Sequence, residues 1–258
     1  MKNVILLFFF TLSIVAQEAI NQFDAKGNRH GLWKGTHKET GRLRYEGAFN
    51  HGKEIGVFKY FDDTKAGTLI ATRDFSKGDG SCYAVFFDQK GNKVSEGRLL
   101  NKIPDGQWKY YHFESKSIMN IEFYKNGTLD GNKKVFYPNG AIAEETNYKL
   151  GVKNGLSKTF SDKGKLIDEH SYKNGQFNGL ASYYDGNGNK LYEGTYKEGK
   201  RVGIWKFYDN NKVINEVKAA NFGKELIKYE QRNAEKVSKS EEEFKKEQEK
   251  GNLNKFFS

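Results

Sequence analysis

Five histidines, a single cysteine and a recurring set of glutamates are the residues of this chain whose types could do chemistry. His30, His37, His51, His112 and His170 fall in different segments at unrelated spacings, with no His-Glu-x-x-His and no paired histidines. A zinc site needs three or four donors converging from fixed offsets, so these histidines read as surface polar residues near turns. Cys82 stands alone, which excludes an intrachain disulfide, and no histidine holds a fixed relation to it as a nucleophile's base would. The stretch Asp185-Gly-Asn-Gly-Asn189 opens like a calcium loop, but its twelfth position is Tyr196 where a bidentate glutamate is required. Glu46, Glu96, Glu145, Glu169 and Glu193 recur with a period of the chain itself and cannot all be catalytic. No glycine-rich phosphate loop occurs. The expectation is a chain with no catalytic residue, no metal site and no cofactor.

The elements that hold these residues are repeats. Aligned on the small residue before each aromatic strand, the anchors are Gly31, Gly56, Cys82, Gly106, Gly131, Gly155, Gly179 and Gly203, in steps of 25, 26, 24, 25, 24, 24 and 24. Two residues after the anchor stand Trp33, Phe58, Trp108 and Trp205; three after it stand Lys34, Lys59, Lys109, Lys134, Lys158 and Lys206. Five after it stand Phe61, Phe87, Tyr111, Phe136, Phe160, Tyr184 and Tyr208. A turn rich in Asp, Asn, Lys and Gly follows. A second strand then ends on Phe49, Phe75, Leu99, Tyr124, Tyr148, Tyr172, Tyr196 or Ala220. Glycine recurs three residues later, at Gly127, Gly151 and Gly175 among others, and at Gly223 in the last unit. Two short strands per 24 residues leave no room for a helix, so each unit is a β-hairpin and the chain a meander. A symmetric turn sets Lys134 opposite Glu145 and Lys158 opposite Glu169, which gives the glutamates a structural role.

Composition agrees. Only 36% of residues are apolar, yet the chain has 20 Phe, 15 Tyr, 28 Gly and 2 Pro, which suits half-buried strands rather than a deep aliphatic core. The net charge of +10 is carried mostly by scattered lysines, a solvated surface rather than a nucleic-acid patch. Residues 1–16 have a charged start at Lys2, an apolar run and a small residue, Ala16, before Gln17, the pattern of a cleaved export signal. No transmembrane segment follows it. The organisation is thus a signal over 1–16, a leader or cap over 17–30, eight repeats over 31–223, and a charged tail over 224–258. The tail is expected to be a short helix or disordered.

Gly106-Gln-Trp-Lys-Tyr-Tyr111, Gly203-Ile-Trp-Lys-Phe-Tyr208 and Glu193-Gly-Thr-Tyr-Lys-Glu-Gly199 carry a resemblance. The pattern resembles the MORN repeat in its bacterial variant form, over about residues 23–223. The resemblance implies an all-β, elongated antiparallel sheet of tandem hairpins acting as a binding or scaffolding module. Some eukaryotic members are associated with membranes and phospholipids, and some bacterial variants carry an antitoxin label. A second likeness is to aromatic hairpin repeats of carbohydrate- and cell-wall-binding proteins.

The expected function is an exported, periplasmic or surface protein without catalysis. It binds an unknown macromolecule, protein or cell-envelope polymer or lipid, through an aromatic sheet face, and does not bind nucleic acid. Trp33, Phe58, Trp108, Tyr110 and Trp205 are the candidate binding residues. Gly106, Tyr111, Gly127, Tyr148, Gly155, Tyr172, Gly179, Tyr184, Tyr196 and Gly203 are expected to hold the repeat together. Tyr184 is expected to pack between neighbours, and Trp33, in the first unit, to face a ligand or cap the array.

Overall fold

The computed structural model describes residues 19–256, so the expected export signal lies outside the described residues. The chain divides after Lys102 into two compact units. The first holds β1 (Gln22–Phe23), β2 (Arg29–Thr36), β3 (Leu43–Asn50), β4 (Lys53–Phe61), β5 (Leu69–Asp74), β6 (Ser81–Phe87) and β7 (Lys93–Leu100). The second begins with β8 (Ile103–Tyr111), β9 (Ile118–Lys125), β10 (Thr128–Leu129), β11 (Gly131–Phe136), β12 (Ile142–Lys149) and β13 (Val152–Phe160). It continues with β14 (Leu166–Lys173), β15 (Gln176–Tyr184), β16 (Lys190–Lys197), β17 (Lys200–Asp209) and β18 (Lys212–Lys218). A 3-10 turn, Ala219–Asn221, then leads into helix α1, Phe222–Phe256. Within each unit consecutive strands pair antiparallel, an all-β meander of hairpins, except that β10 and β11 follow one another along β9 and both pair with it.

Two kinds of turn alternate. The tight ones place two residues at positive φ, as at Asn126-Gly127 and Asn174-Gly175, the mirror-image turn that matches strand twist. Their glycine N–H reaches into the preceding repeat: Gly127 donates to Pro104 O, Gly151 to Leu129 O, Gly175 to Lys153 O and Gly199 to Phe177 O, at 2.8–2.9 Å. The wider turns are organised by an aspartate. Asp24, Asp88 and Asp185 each accept backbone N–H groups two and four residues on, and Asn28, Asn92 and Asn189 return a side-chain N–H to the same carboxylate. Asp185-Gly-Asn-Gly-Asn189 is therefore a self-satisfied turn. Hydrogen bonds hold all three carboxyls below their usual range: from His51 first for Asp24, from Asn92 first for Asp88, and for Asp185 from Asn189 against an opposing effect of burial.

The ends depart from the repeat. The leader forms β1, whose Phe23 ring packs edge-on against Trp33 at 5.0 Å. At the other end, Ala220 and Gly223 do not form the eighth tight turn that the repeat predicts. Strand β18 stops at Lys218, and the helix starts at Phe222, two residues inside the expected repeat boundary. The cause is Phe222 itself, whose buried ring sits 4.6 Å from Trp205 and 5.5 Å from Phe207 and supplies the aromatic layer that another hairpin would have brought. Tyr229 adds a ring on Phe207 at 5.3 Å and donates its hydroxyl to Tyr208 O. The tail is thus a helix of 35 residues, longer than expected, and its first turns cover one sheet face.

Candidate functional site: two unlike sheet faces

Side chains alternate along a strand, so positions two and four after the anchor share one face, and positions one, three and five share the other. The first face is packed. Phe58, Trp108 and Trp205 are 1%, 4% and 0% exposed, and Trp33 is 9% exposed. In the first unit Trp33, Phe49 and Phe58 form one cluster with Tyr45, Tyr60 and Phe75 around it. The Arg29 guanidinium lies over Trp33 and Phe49, at 4.8 and 5.2 Å, and Trp33 Nε1 donates to Gln22 O. In the second unit Tyr196, Trp205, Phe207, Phe222 and Tyr229 form another cluster, with Arg201 4.3 Å over Phe222. Tyr110, half-buried, shares a 3.2 Å hydroxyl contact with Tyr124.

Of the residues expected to bind, Trp33, Phe58, Trp108 and Trp205 are buried and Tyr110 is half-buried. They lie on the face where rings cover rings, because indole and phenyl groups are wide enough to span the gap to the neighbouring hairpin. Tyr148, Tyr172 and Tyr196 lie on the same face; Tyr172 and Tyr196 pack on the Phe177 ring at 4.7 and 5.0 Å. Tyr111 and Tyr184 do not; they belong to the opposite face and are half-buried. Trp33 packs in the cluster of the first unit, against Phe23 of the leader, and Tyr184 stands half-buried on the opposite face. Gly106, Gly155, Gly179 and Gly203 all carry positive φ, and so does the turn residue Gly127. Cys82 does not share this conformation. It sits within β6, buried, and burial pushes its thiol above the usual range.

Where tryptophan is missing from the packed face, bonded polar groups fill the space. Thr146 and Ser157, both buried, share a 2.6 Å hydroxyl hydrogen bond, and Thr146 also donates to Glu144. Glu122, buried, accepts from Asn120, from the Tyr124 hydroxyl and from Lys133 at 2.9 Å. Burial raises the pKa of this carboxyl, but its three donors outweigh that and hold it below the usual range. His170 lies among Tyr172, Phe177 and Tyr183, with Asp168 3.7 Å from Nδ1 and no hydrogen-bond partner for Nε2. Burial depresses its pKa.

The other face is an ion-pair ladder. Lys134 faces Glu145 and Lys158 faces Glu169, as the register expected, at 3.3 and 3.1 Å. Glu46 is shared by Lys34 and Lys59, at 3.7 and 3.3 Å. Glu193 takes Lys190 at 2.6 Å and the Tyr208 hydroxyl at 2.5 Å, and burial together with that bond pushes the phenol up to about 12. Beside the ladder runs a column of exposed apolar residues one position after the anchor, which sequence reasoning missed: Leu32, Val57, Tyr83, Leu156, Leu180 and Ile204. Val57, Leu180 and Ile204 are about half exposed, at 50%, 51% and 48%. Their spacing was readable, but their exposure depends on which sheet face is covered, and spacing does not carry that.

The histidines also turned out less scattered than they looked. His37 and His112 both stand six residues after an anchor, and the Nε2 of each meets the carbonyl of the next repeat, Phe61 O at 3.2 Å and Phe136 O at 3.1 Å. Tyr137 does the same to Phe160 O. They are clamps between repeats. Among the described residues no group of three or more His, Cys, Asp or Glu side chains could hold a metal ion.

Segments 129–150, 153–174 and 177–198 each match the MORN repeat variant model, starting 24 residues apart. Residues 129–198 carry three consecutive MORN-variant repeats. The match falls on consecutive hairpins of the second unit, each from just before its anchor to its tight turn. No curated protein matches the chain. Among solved structures, a mutant of S. aureus TarM in complex with fondaparinux, alpha-GlcNAc-glycerol and UDP aligns at 14% identity over 48% of this chain and 19% of its own, with a TM-score of 0.21. The TcdB2-TccC3-Cdc42 structure aligns at 11% identity over 76% and 12%, with a TM-score of 0.21. A Bacteroides fragilis protein of unknown function aligns at 8% identity over 66% and 95%, with a TM-score of 0.12. The chain spans about a fifth or less of the first two.

Proposed function

We propose that this MORN-variant protein is a non-catalytic, exported binding module that engages a protein or cell-envelope polymer through its ladder face. The observation that carries the reading is the apolar column at one repeat position, Leu32, Val57, Leu156, Leu180 and Ile204, left open to solvent while the opposite face packs on itself. Regularly placed exposed apolar groups beside charges mark interaction surfaces. The export component is motivated by the start at Lys2 and the Ala16-Gln17 junction.

A photoreactive side chain introduced at position 180 should cross-link to a partner in the native host, and one at position 196 on the packed face should not. Cross-linking at neither position sinks the ladder-face reading. Mass spectrometry of the same material should find a new N-terminus near Gln17; an intact Met1 species in the cytoplasm removes the export component.

A further inference from the structure

Three features of the ladder face in the second unit, taken together, say what fits it. The first is its period. Leu156, Leu180 and Ile204 stand on alternate strands β13, β15 and β17, each exposed, and on the following strands Ser171 is paired with Leu156 and Thr195 with Leu180. Strands lie about 4.8 Å apart, so the aliphatic groups recur at about 9.6 Å with a small polar gap after each. Only a surface of the same period can fill every gap at once.

The second is charge. Parallel to the aliphatic row runs a row that alternates in sign from strand to strand: Lys134, Glu145, Lys158 and Glu169, then after Ser182, Glu193, Lys206 and Glu216. The chain as a whole carries +10, so two copies repel over most of their surface. On this row the charges nearly cancel.

The third is area. Six strands, β13 to β18, of about eight residues each present roughly 750 Å² on one face, close to what each partner of a standard interface buries.

We infer that the ladder face of the second unit binds a second copy of this chain, face to face, about a two-fold axis that passes between β15 and β16. This rests on the ladder face being the binding surface. The axis reverses the order of strands, so β15 of one copy meets β16 of the other. Leu180 then drops over the partner's Thr195, the small residue paired with Leu180 on that copy. The same offset sets Glu169 against Lys206 and Lys158 against Glu216 of the opposing row. An axis through β15 itself would set Glu169 against Glu193 and Lys158 against Lys206, like against like. Interdigitation of the aliphatic groups and pairing of the charges thus demand one and the same offset.

Sedimentation equilibrium of the mature chain should show a reversible dimer. Leu156→Asp with Leu180→Asp, at exposed sites, should give a monomer whose thermal melt is little changed. Lys158→Glu should weaken the dimer about tenfold, and adding Glu216→Lys should restore it. Within one chain Lys158 bonds Glu169 and Glu216 bonds Lys206, so rescue between 158 and 216 arises only across the interface. A wild-type monomer up to about 100 µM, above the range that interfaces of this size span, overturns the inference. So does a dimer that the double aspartate variant leaves intact, or a Glu216→Lys that gives no rescue. The wider ladder-face reading falls separately, if a photoreactive side chain at position 204 gives the same native cross-links in the double aspartate variant as in the wild-type background.

Discussion

Gly194 lies directly beneath the indole of Trp205, so closely that a Cβ at position 194 would fall among the ring carbons. Gly47 stands in the same relation to Phe58, where a Cβ would come within 2.5 Å of the ring. In the intervening repeats the same pair of positions holds Thr146 with Ser157, and His170 with Ala181. A wide ring on one strand requires glycine on the strand before it, and a small residue there admits a side chain.

Gly194→Ala is accordingly expected to destabilise the protein by about 1–3 kcal/mol through overpacking. Trp205→Ser alone should cost more, because it empties a fully buried site. The double variant Gly194→Thr, Trp205→Ser copies the Thr146–Ser157 pair and should lose clearly less than the two single losses added together. Urea melts of the four proteins measure this coupling; strict additivity would show that the two positions are independent.

Phe58→Ala removes a ring that is 1% exposed and should cost about 3–5 kcal/mol. Tyr184→Ala, half-buried on the ladder face with the Lys190 ammonium 5.9 Å from its ring, should cost less than half as much. Trp33→Ala falls nearer Phe58, since it loses Phe23, Phe49 and the bond to Gln22 O. Chemical denaturation ranks the three, and a Tyr184 loss equal to that of Phe58 contradicts the assignment of faces.

His170 sets an acid limit. Burial places its folded pKa below the ordinary 6.5, so the unfolded chain takes up the proton first. The stability tied to neutral His170 is therefore complete above 6.5 and drains as the pH falls below it. Melting temperature should decline between about pH 7 and pH 5 in the wild type, and His170→Gln should flatten that decline. An unchanged profile in the variant would place the acid sensitivity elsewhere.

Asp185 acts lower on the scale. Its carboxyl is held below 3.8, so its contribution is present above 3.8 and disappears as the pH falls through the folded value. Asp185→Asn keeps an oxygen acceptor for the Asn187 and Asn189 N–H groups but carries no charge. It should lower the melting temperature at neutral pH and converge with the wild type in acid. Circular dichroism melts across that range check this, and a constant difference at every pH would rule out the carboxylate as the cause.

Much of this was fixed locally. The 24-residue period, the hairpins and the Lys134–Glu145 and Lys158–Glu169 rungs follow from turn chemistry and two-residue alternation, which act over a few neighbours. Asn174-Gly175 accepts two positive φ values whatever surrounds it. Alternation also places Trp205 and Tyr208 on opposite faces, but it cannot say which face is covered, since both carry large rings. That was decided in three dimensions. The rings of Tyr196, Trp205 and Phe207 lie within reach of one another across neighbouring strands, and Phe222 closes over them from a tail that reads in isolation as a solvated run of charge. His37 and His112 likewise gained their partners only when the next repeat was laid alongside. Burial is a sum over neighbours distant in sequence, and no single segment contains it.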